Sequence, residues 1–222
     1  ALLLRAKTLG LDPMGISFHV GSQQMDVDAW DRAVADARAL FDALEADGAP
    51  LRMVNLGGGL PSHYADDAPA ALDYGLAITR SLTTHFGNRL PQTIIEPGRF
   101  LVGDAGVIQT EVVLVSRKAY DDPKRWVYLD IGRFSGLAET EGEAIRYRIE
   151  PEAHDIAAED GPVVLAGPTC DSADVMYERT PYAMPMALKA GDRLRIHAAG
   201  AYTTTYSSIG FNGFPPLRQY VI

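Results

Sequence analysis

Three short apolar runs recur near the start of the chain, at 14–20, 51–56 and 93–96, with amphipathic helical stretches between them. Their spacing of about 35–40 residues is the length of one strand–helix unit in a parallel sheet. In the first run Ile16, Phe18 and Val20 alternate with Ser17 and His19, the period of a strand, and Gly21-Ser22 closes it. A helix over 28–47 places Trp30, Val34, Ala37, Phe41 and Leu44 on one face, with Asp28 as N-cap and Gly48 as its stop. The second run ends at Gly57-Gly58-Gly59. A second helix over 69–86 aligns Leu72, Leu76, Leu82 and Phe86 and stops at Gly87. Ile94-Ile95-Glu96-Pro97-Gly98-Arg99 then reads as a buried strand that carries an acid, and past a Pro-Gly turn an arginine, to a rim. Side chains or loops capable of chemistry stand at every strand's C-terminal end. That pattern fits a parallel α/β barrel better than a doubly wound sheet.

Beyond about Gly103 the texture changes. Segments 107–115, 125–130, 144–149, 163–166 and 193–198 are strand-like, with Gly, Pro and acidic turns between them and little helical period. The expected organisation is therefore α/β, with the C-terminal part of a barrel over 1–103 and an all-β, sandwich-like domain over 104–222. No low-complexity linker divides them.

The net charge of −9 over 222 residues argues against nucleic acid and anionic membrane surfaces as partners, since both select basic patches. No apolar run approaches the roughly 20 residues that span a bilayer. One cysteine allows no internal disulfide, which points to a reducing cytoplasm. The chain lacks an initial Met and opens inside a helix over 2–9, so further residues are expected upstream. His63, His85, His154 and His197 show no ligand spacing with one another or with Cys170, so no metal is expected.

Three glycines after a strand let a backbone approach an anion and offer it N–H groups; equally, they allow a sharp turn with tight packing. A carboxylate at a strand mouth, Glu96, can keep a heteroaromatic ring nitrogen protonated and so improve an electron sink. It can also cap the next turn or pair with Arg99. Arg99 is a natural bidentate phosphate ligand or one half of a structural salt bridge. His19 could stack on a ring or serve a structural role, and Ser22 places a hydroxyl beside it. Cys170 sits in a polar Gly167-Pro168-Thr169-Cys170-Asp171-Ser172 loop, unlike the usual inert buried cysteine. A Cys–His nucleophile is the rival reading, although no motif around His19 or His197 supports it.

Taken in order, His19-Val20-Gly21-Ser22, Gly57-Gly58-Gly59, Glu96-Pro97-Gly98-Arg99, the loop from Gly167 to Asp174, and Ala199-Gly200-Ala201-Tyr202 resemble the motifs of fold-type III pyridoxal-phosphate-dependent decarboxylases. The similarity is strongest to the ornithine/lysine branch. The resemblance implies a (β/α)8 barrel followed by a β domain, and a homodimer with shared active sites. It implies that His19 stacks on pyridoxal 5'-phosphate and that Glu96 pairs with the ring nitrogen. Ser22, Gly57, Gly58, Gly59, Gly98, Arg99 and Tyr202 would bind the cofactor. Cys170 would protonate the substrate carbon, and Asp171 would hold the distal amine of a basic amino acid, both from the partner subunit.

Two departures stand out. The family's cofactor-bearing lysine precedes the histidine motif, and Lys7, Lys118, Lys124 and Lys189 do not have that setting. In Asp130-Ile131-Gly132-Arg133-Phe134 an isoleucine precedes the glycine, where relatives of the eukaryotic type have a substrate-binding aspartate. A one-residue shift on a strand reverses the face, so that role is not transferred to Asp130. The expected function is decarboxylation of ornithine or lysine to a diamine, as in polyamine biosynthesis. The alternatives are a non-catalytic regulatory homologue, a diaminopimelate decarboxylase, and an amino-acid racemase of the same fold type.

Overall fold

The structure is a computed structural model that describes residues 1–152 and 159–222. His154, one of the histidines weighed above, lies outside the described residues. The chain opens with α1 (Leu2–Thr8), which buries no residue fully. Then follow β1 (Gly15–Ser17), α2 (Trp30–Ala46), β2 (Met53–Asn55), α3 (Ala71–Phe86), β3 (Gln92–Ile94) and the short α4 (Gly98–Val102). The three strands pair in parallel in the order β1-β2-β3. Ladder-like bonds continue past the strand ends, from Phe18 N–H to Asn55 O (3.1 Å), Leu56 N–H to Ile94 O (2.9 Å) and Glu96 N–H to Gly57 O (2.9 Å). The loops bearing the sequence motifs are thus held in register with one another.

Helix α2 buries the face expected of it, Trp30, Val34, Ala37, Phe41 and Leu44. Gly48 follows it with φ +73°, a left-handed conformation in which a side chain would be strained. The N-terminus differs from expectation. Asp28 does not cap the helix, because its carboxylate pairs with Arg80 of α3. Helix α3 differs more. Its buried residues are Tyr74, Ala77, Ser81 and Phe86, while Leu72 and Leu76 are exposed. Leu72 and Leu76 do share a helical face, but it is not the face that meets the core. The small Ala77 and Ser81 allow close approach, and Tyr74 packs edge-on to Trp30 with ring centroids 5.7 Å apart.

The two aromatic side chains also reach the strand-end loops. Trp30 Nε1–H donates to Leu56 O (3.2 Å), just before the glycine triplet, and Tyr74 O–H donates to Gln24 O (2.6 Å). Burial, reinforced by Asp26 and Asp73, pushes the Tyr74 phenol above its usual range, so it remains a donor. Removing a buried indole of this kind costs about 3–5 kcal/mol.

The expectation of a buried third strand is corrected. Gln92, Thr93 and Ile94 of β3 are all exposed, as are Ile95 and Glu96. β3 is the edge strand of the three-stranded sheet, so β2 covers only one of its edges.

The remaining strands are β4 (Ile108–Ser116), β5 (Arg125–Leu129), β6 (Ile149–Pro151), β7 (Asp160–Ala166), β8 (Val175–Met176), β9 (Tyr182–Pro185) and β10 (Arg193–Ile196). They join one sheet in the order β6-β10-β4-β5-β7-β8, with β9 also on β7; β5 and β7 run parallel and the other pairs antiparallel. Residues 108–111 of β4 pair with β10, and residues from 112 onward pair with β5, across a register shift between Val112 and Leu114. Such a bulge bends a strand and lets it serve two parts of a sheet. Val112, Val127, Leu165, Leu194 and Ile196 are fully buried in the core this creates.

Segment 144–149 is not the strand expected. Its alternation is real, with Ile145, Tyr147 and Ile149 buried. Its backbone partners are scattered instead: Arg146 O accepts from Ala65, Tyr147 N–H donates to the Tyr177 hydroxyl, and Arg148 O accepts from His197. By contacts, the chain divides into one unit of Ala1–Ser62 with Asp67–Leu101 and another of His63–Asp66 with Val102–Ile222. The excursion of 63–66 into the second unit carries no sequence mark. Its anchors are Tyr64, packed edge-on to Tyr147 (5.4 Å), and His63 Nδ1, 3.0 Å from Asp104 Oδ2.

Candidate functional site

In the first unit, the loops after β1, β2 and β3 carry His19, Ser22, Gly57, Gly58, Gly59 and Glu96, and Gly98 and Arg99 open α4 directly after them. The glycine triplet lies where no side chain fits. A Cβ on Gly57 would stand 2.1 Å from Phe18 O, and one on Gly59 would stand 2.4 Å from Gly21 O. Both residues also have positive φ, +68° and +106°. A Cβ on Gly58 would lie 2.8 Å from Glu96 O and 3.4 Å from His19 Nε2, so the imidazole and the acid's backbone flank the same glycine.

Glu96 is exposed and held by a residue that the motif reading passed over. Asn55 Nδ2–H donates to Glu96 Oε1 at 2.6 Å, and Gly57 N–H donates to Asn55 Oδ1 at 3.0 Å. The second bond fixes which way the amide faces, so its NH2 always meets the carboxylate. That bond occupies Oε1 and leaves Oε2 for another partner. The one available signal was an asparagine two residues before the triplet, where a β2 side chain would alternate to the face of the sheet opposite Val54.

His19 is exposed, and its Nδ1 accepts from Gly21 N–H at 2.9 Å. The neutral ring therefore carries its proton on Nε2. Ser22 is exposed on a loop clamped by Gln23, whose amide exchanges two hydrogen bonds with the backbone of Ser62 (2.8 and 3.1 Å) and whose φ is +50°. Arg99 is only 6% exposed. An arginine fork matches an anion with several oxygens.

In the second unit, Cys170 and Tyr202 both line a cleft of about 1410 Å³, together with Asp130, Tyr128 and the C-terminal segment from Phe214. Cys170 has φ +58° and Tyr202 φ +54°. Left-handed conformations at non-glycine residues are costly and gather at functional segments. Asp171 is half-buried, and its Oδ1 accepts from Ala173 N–H at 2.8 Å, which leaves the second oxygen for another partner. Asp130 points away from Ile131, which is buried at 2% exposure; its Oδ1 accepts from Thr110 Oγ1 and Glu111 N–H. Arg133 reaches Ala173 O (2.6 Å) and Glu141 (3.1 Å). Arg218, absent from every motif above, is the cationic side chain that lines the cleft. His197 Nε2 lies 3.1 Å from Glu150. Among the described residues no group of three His, Cys, Asp or Glu side chains could hold a metal ion, and no helix is long and apolar enough to cross a membrane.

Parallel strands that end in a glycine triplet, an oriented acid and a buried arginine define a strand-end site of the α/β-barrel type. Residues 1–103 match the family model described as "Pyridoxal-dependent decarboxylase, pyridoxal binding domain", and this segment of the chain belongs to that family. It is 32% identical over 215 residues to the lysine/ornithine decarboxylase of Selenomonas ruminantium, covering 96% of this chain and 51% of that protein. It is 33% identical to a diaminopimelate decarboxylase of Neisseria meningitidis (91% of this chain, 46% of that protein). It is 32% identical to antizyme inhibitor 2 of Xenopus laevis (96% of this chain, 48% of that protein). Among solved structures, that of a Vibrio vulnificus lysine/ornithine decarboxylase complexed with cadaverine superposes with a TM-score of 0.83 at 28% identity, covering 97% of this chain and 56% of that one. A structure described as SrLDC in complex with PLP and cadaverine gives 0.81 at 31% identity, with coverages of 97% and 54%. The chain spans about half the length of the curated relatives it matches.

Proposed function

We propose that the full-length protein is a pyridoxal-phosphate-dependent decarboxylase that converts a basic amino acid, ornithine or lysine, to a diamine. The observation that carries this reading is the Asn55-held carboxylate of Glu96 beside the glycine triplet, with Arg99 buried nearby in the chain. The fit is chemical as well as geometric. The cradle has no room for side chains, an arginine fork matches a phosphate, and an ionised acid matches a protonated ring nitrogen. The solved structures of relatives that contain PLP or cadaverine support the same assignment.

Bound pyridoxal phosphate would supply the electron sink for the carbon that loses carbon dioxide. Ser22, Gly58, Gly59, Arg99 and Tyr202 would hold its phosphate end, and Gly57 and Gly98 would bind the cofactor beside them. His19 would cover the ring, and Glu96 would keep the ring nitrogen protonated. Cys170 returns a proton to the substrate's Cα, and Asp171 holds the distal ammonium. The lysine that carries the cofactor is none of Lys7, Lys118, Lys124 and Lys189, and belongs to another part of the full-length protein. The functional unit is a homodimer in the cytoplasm. Its 1–103 segment is the end of the barrel, and its 104–222 segment, a sandwich-like β domain, offers Cys170 and Asp171 to the partner's barrel.

A second reading, diaminopimelate as substrate, is favoured by Arg218. It places a cation in the cleft with Cys170, and a second carboxylate needs one. A substrate panel on the full-length protein separates the two. Under our reading ornithine and lysine turn over faster than diaminopimelate, and Asp171→Ala raises their KM about 10–100-fold, the worth of one charged hydrogen bond. Faster turnover of diaminopimelate, abolished by Arg218→Ala, would replace this reading with the second.

A further inference from the structure

Asp174 is the only acidic side chain that is buried among the described residues, at 1% exposure, and the proposed reaction gives it no part. Its Oδ1 accepts from Arg133 N–H at 2.7 Å. Its Oδ2 accepts from Thr169 N–H at 3.2 Å and from the Thr169 hydroxyl at 2.7 Å. The carboxylate therefore ties the turn after β5 to the loop that follows β7. Both backbones come so close that a Cβ on Gly132 would stand 2.1 Å from Oδ1 and one on Gly167 2.2 Å from Oδ2. The same loop is closed by Gly167 N–H to Asp174 O (2.8 Å) and Asp174 N–H to Asp171 O (3.0 Å). Asn212 Nδ2–H donates to Thr169 O at 2.8 Å from the C-terminal side. Cys170 sits at the tip of this loop with φ +58°, a conformation that persists only where the surroundings over-determine it.

We infer that Asp174 is a positioning residue whose buried carboxylate, clamped by Arg133 N–H and Thr169, holds the Cys170-Asp171 tip in the geometry that proton delivery needs. This rests on the decarboxylase reading above. The side chain accepts on both oxygens, from three donors. An amide cannot replace it, because in either orientation its NH2 faces a backbone N–H and leaves that donor unsatisfied.

The test is a double-mutant cycle in the full-length holoenzyme with Asp174→Asn, Cys170→Ala and both together. Asp174→Asn should lower kcat about 10²-fold, as expected of a misplaced reacting group, with cofactor affinity unchanged. The double variant should be no slower than Cys170→Ala alone. A nitroxide on Cys170, read without cofactor or substrate, should be immobile in the parent protein and mobile in Asp174→Asn. If Asp174→Asn does not fold, Thr169→Val, which removes one donor, should give the same mobilisation. Fully additive losses in the cycle, or a label equally immobile in the variants, would overturn the inference. A full-length protein that decarboxylates nothing would instead sink the functional reading, and the label would still decide the clamp.

Discussion

Glu96→Ala in the full-length protein should take up pyridoxal phosphate about as well as the parent but turn over roughly 10²–10³ times more slowly, the usual cost of one preorganised electrostatic group. Under the proposed function the phosphate contacts lie elsewhere, on Ser22, the glycine triplet and Arg99, so affinity should survive. What is lost is the charge beside the ring nitrogen. Asn55 makes this a statement about charge rather than shape, since its NH2 is turned by Gly57 to meet a carboxylate. Glu96→Gln should therefore fall nearly as far as Glu96→Ala, although glutamine fills the same space. Steady-state kcat together with a cofactor titration checks both halves. Near-parental kcat in Glu96→Gln would remove the acid from the reaction.

Mixing two inactive variants should restore activity. Under the proposed function Cys170→Ala removes what the β domain would contribute, and Arg99→Ala what the barrel would. If each site draws one from each subunit, a heterodimer has one intact site and one doubly damaged site. An equal mixture of freely exchanging subunits should then recover about a quarter of parental activity, because half the dimers are hybrid and half their sites are intact. The parents alone should remain near background. No recovery, with hybrids demonstrated by mass spectrometry, would place Cys170 in the same subunit's site or outside it.

The strand-end motifs were readable because each combines a strand period with a backbone need that few residues satisfy. Gly57 and Gly59 are the clearest cases, since a neighbouring carbonyl occupies the space of any Cβ. Helix α2 was readable for the same reason in another form, its large apolar residues sharing one face. Helix α3 was misread because leucines count heavily in periodicity, whereas the close contact is made by Ala77 and Ser81, which count little. Asn55, Gln23 and Asp174 were not legible. Each acts through hydrogen bonds to backbone atoms distant in sequence, such as Gly57, Ser62 or Arg133, and residue type alone does not encode such partners. The exposed β3 marks another limit, because an apolar run does not reveal which of its neighbours will cover it.

The most direct measurement is cofactor capture by the full-length protein. Added pyridoxal phosphate should produce a visible absorbance band, and borohydride should fix the cofactor covalently on a lysine other than Lys7, Lys118, Lys124 and Lys189, as located by peptide mass. Arg99→Ala should weaken that capture. A full-length protein that stays colourless and gains no mass on reduction would contradict the account.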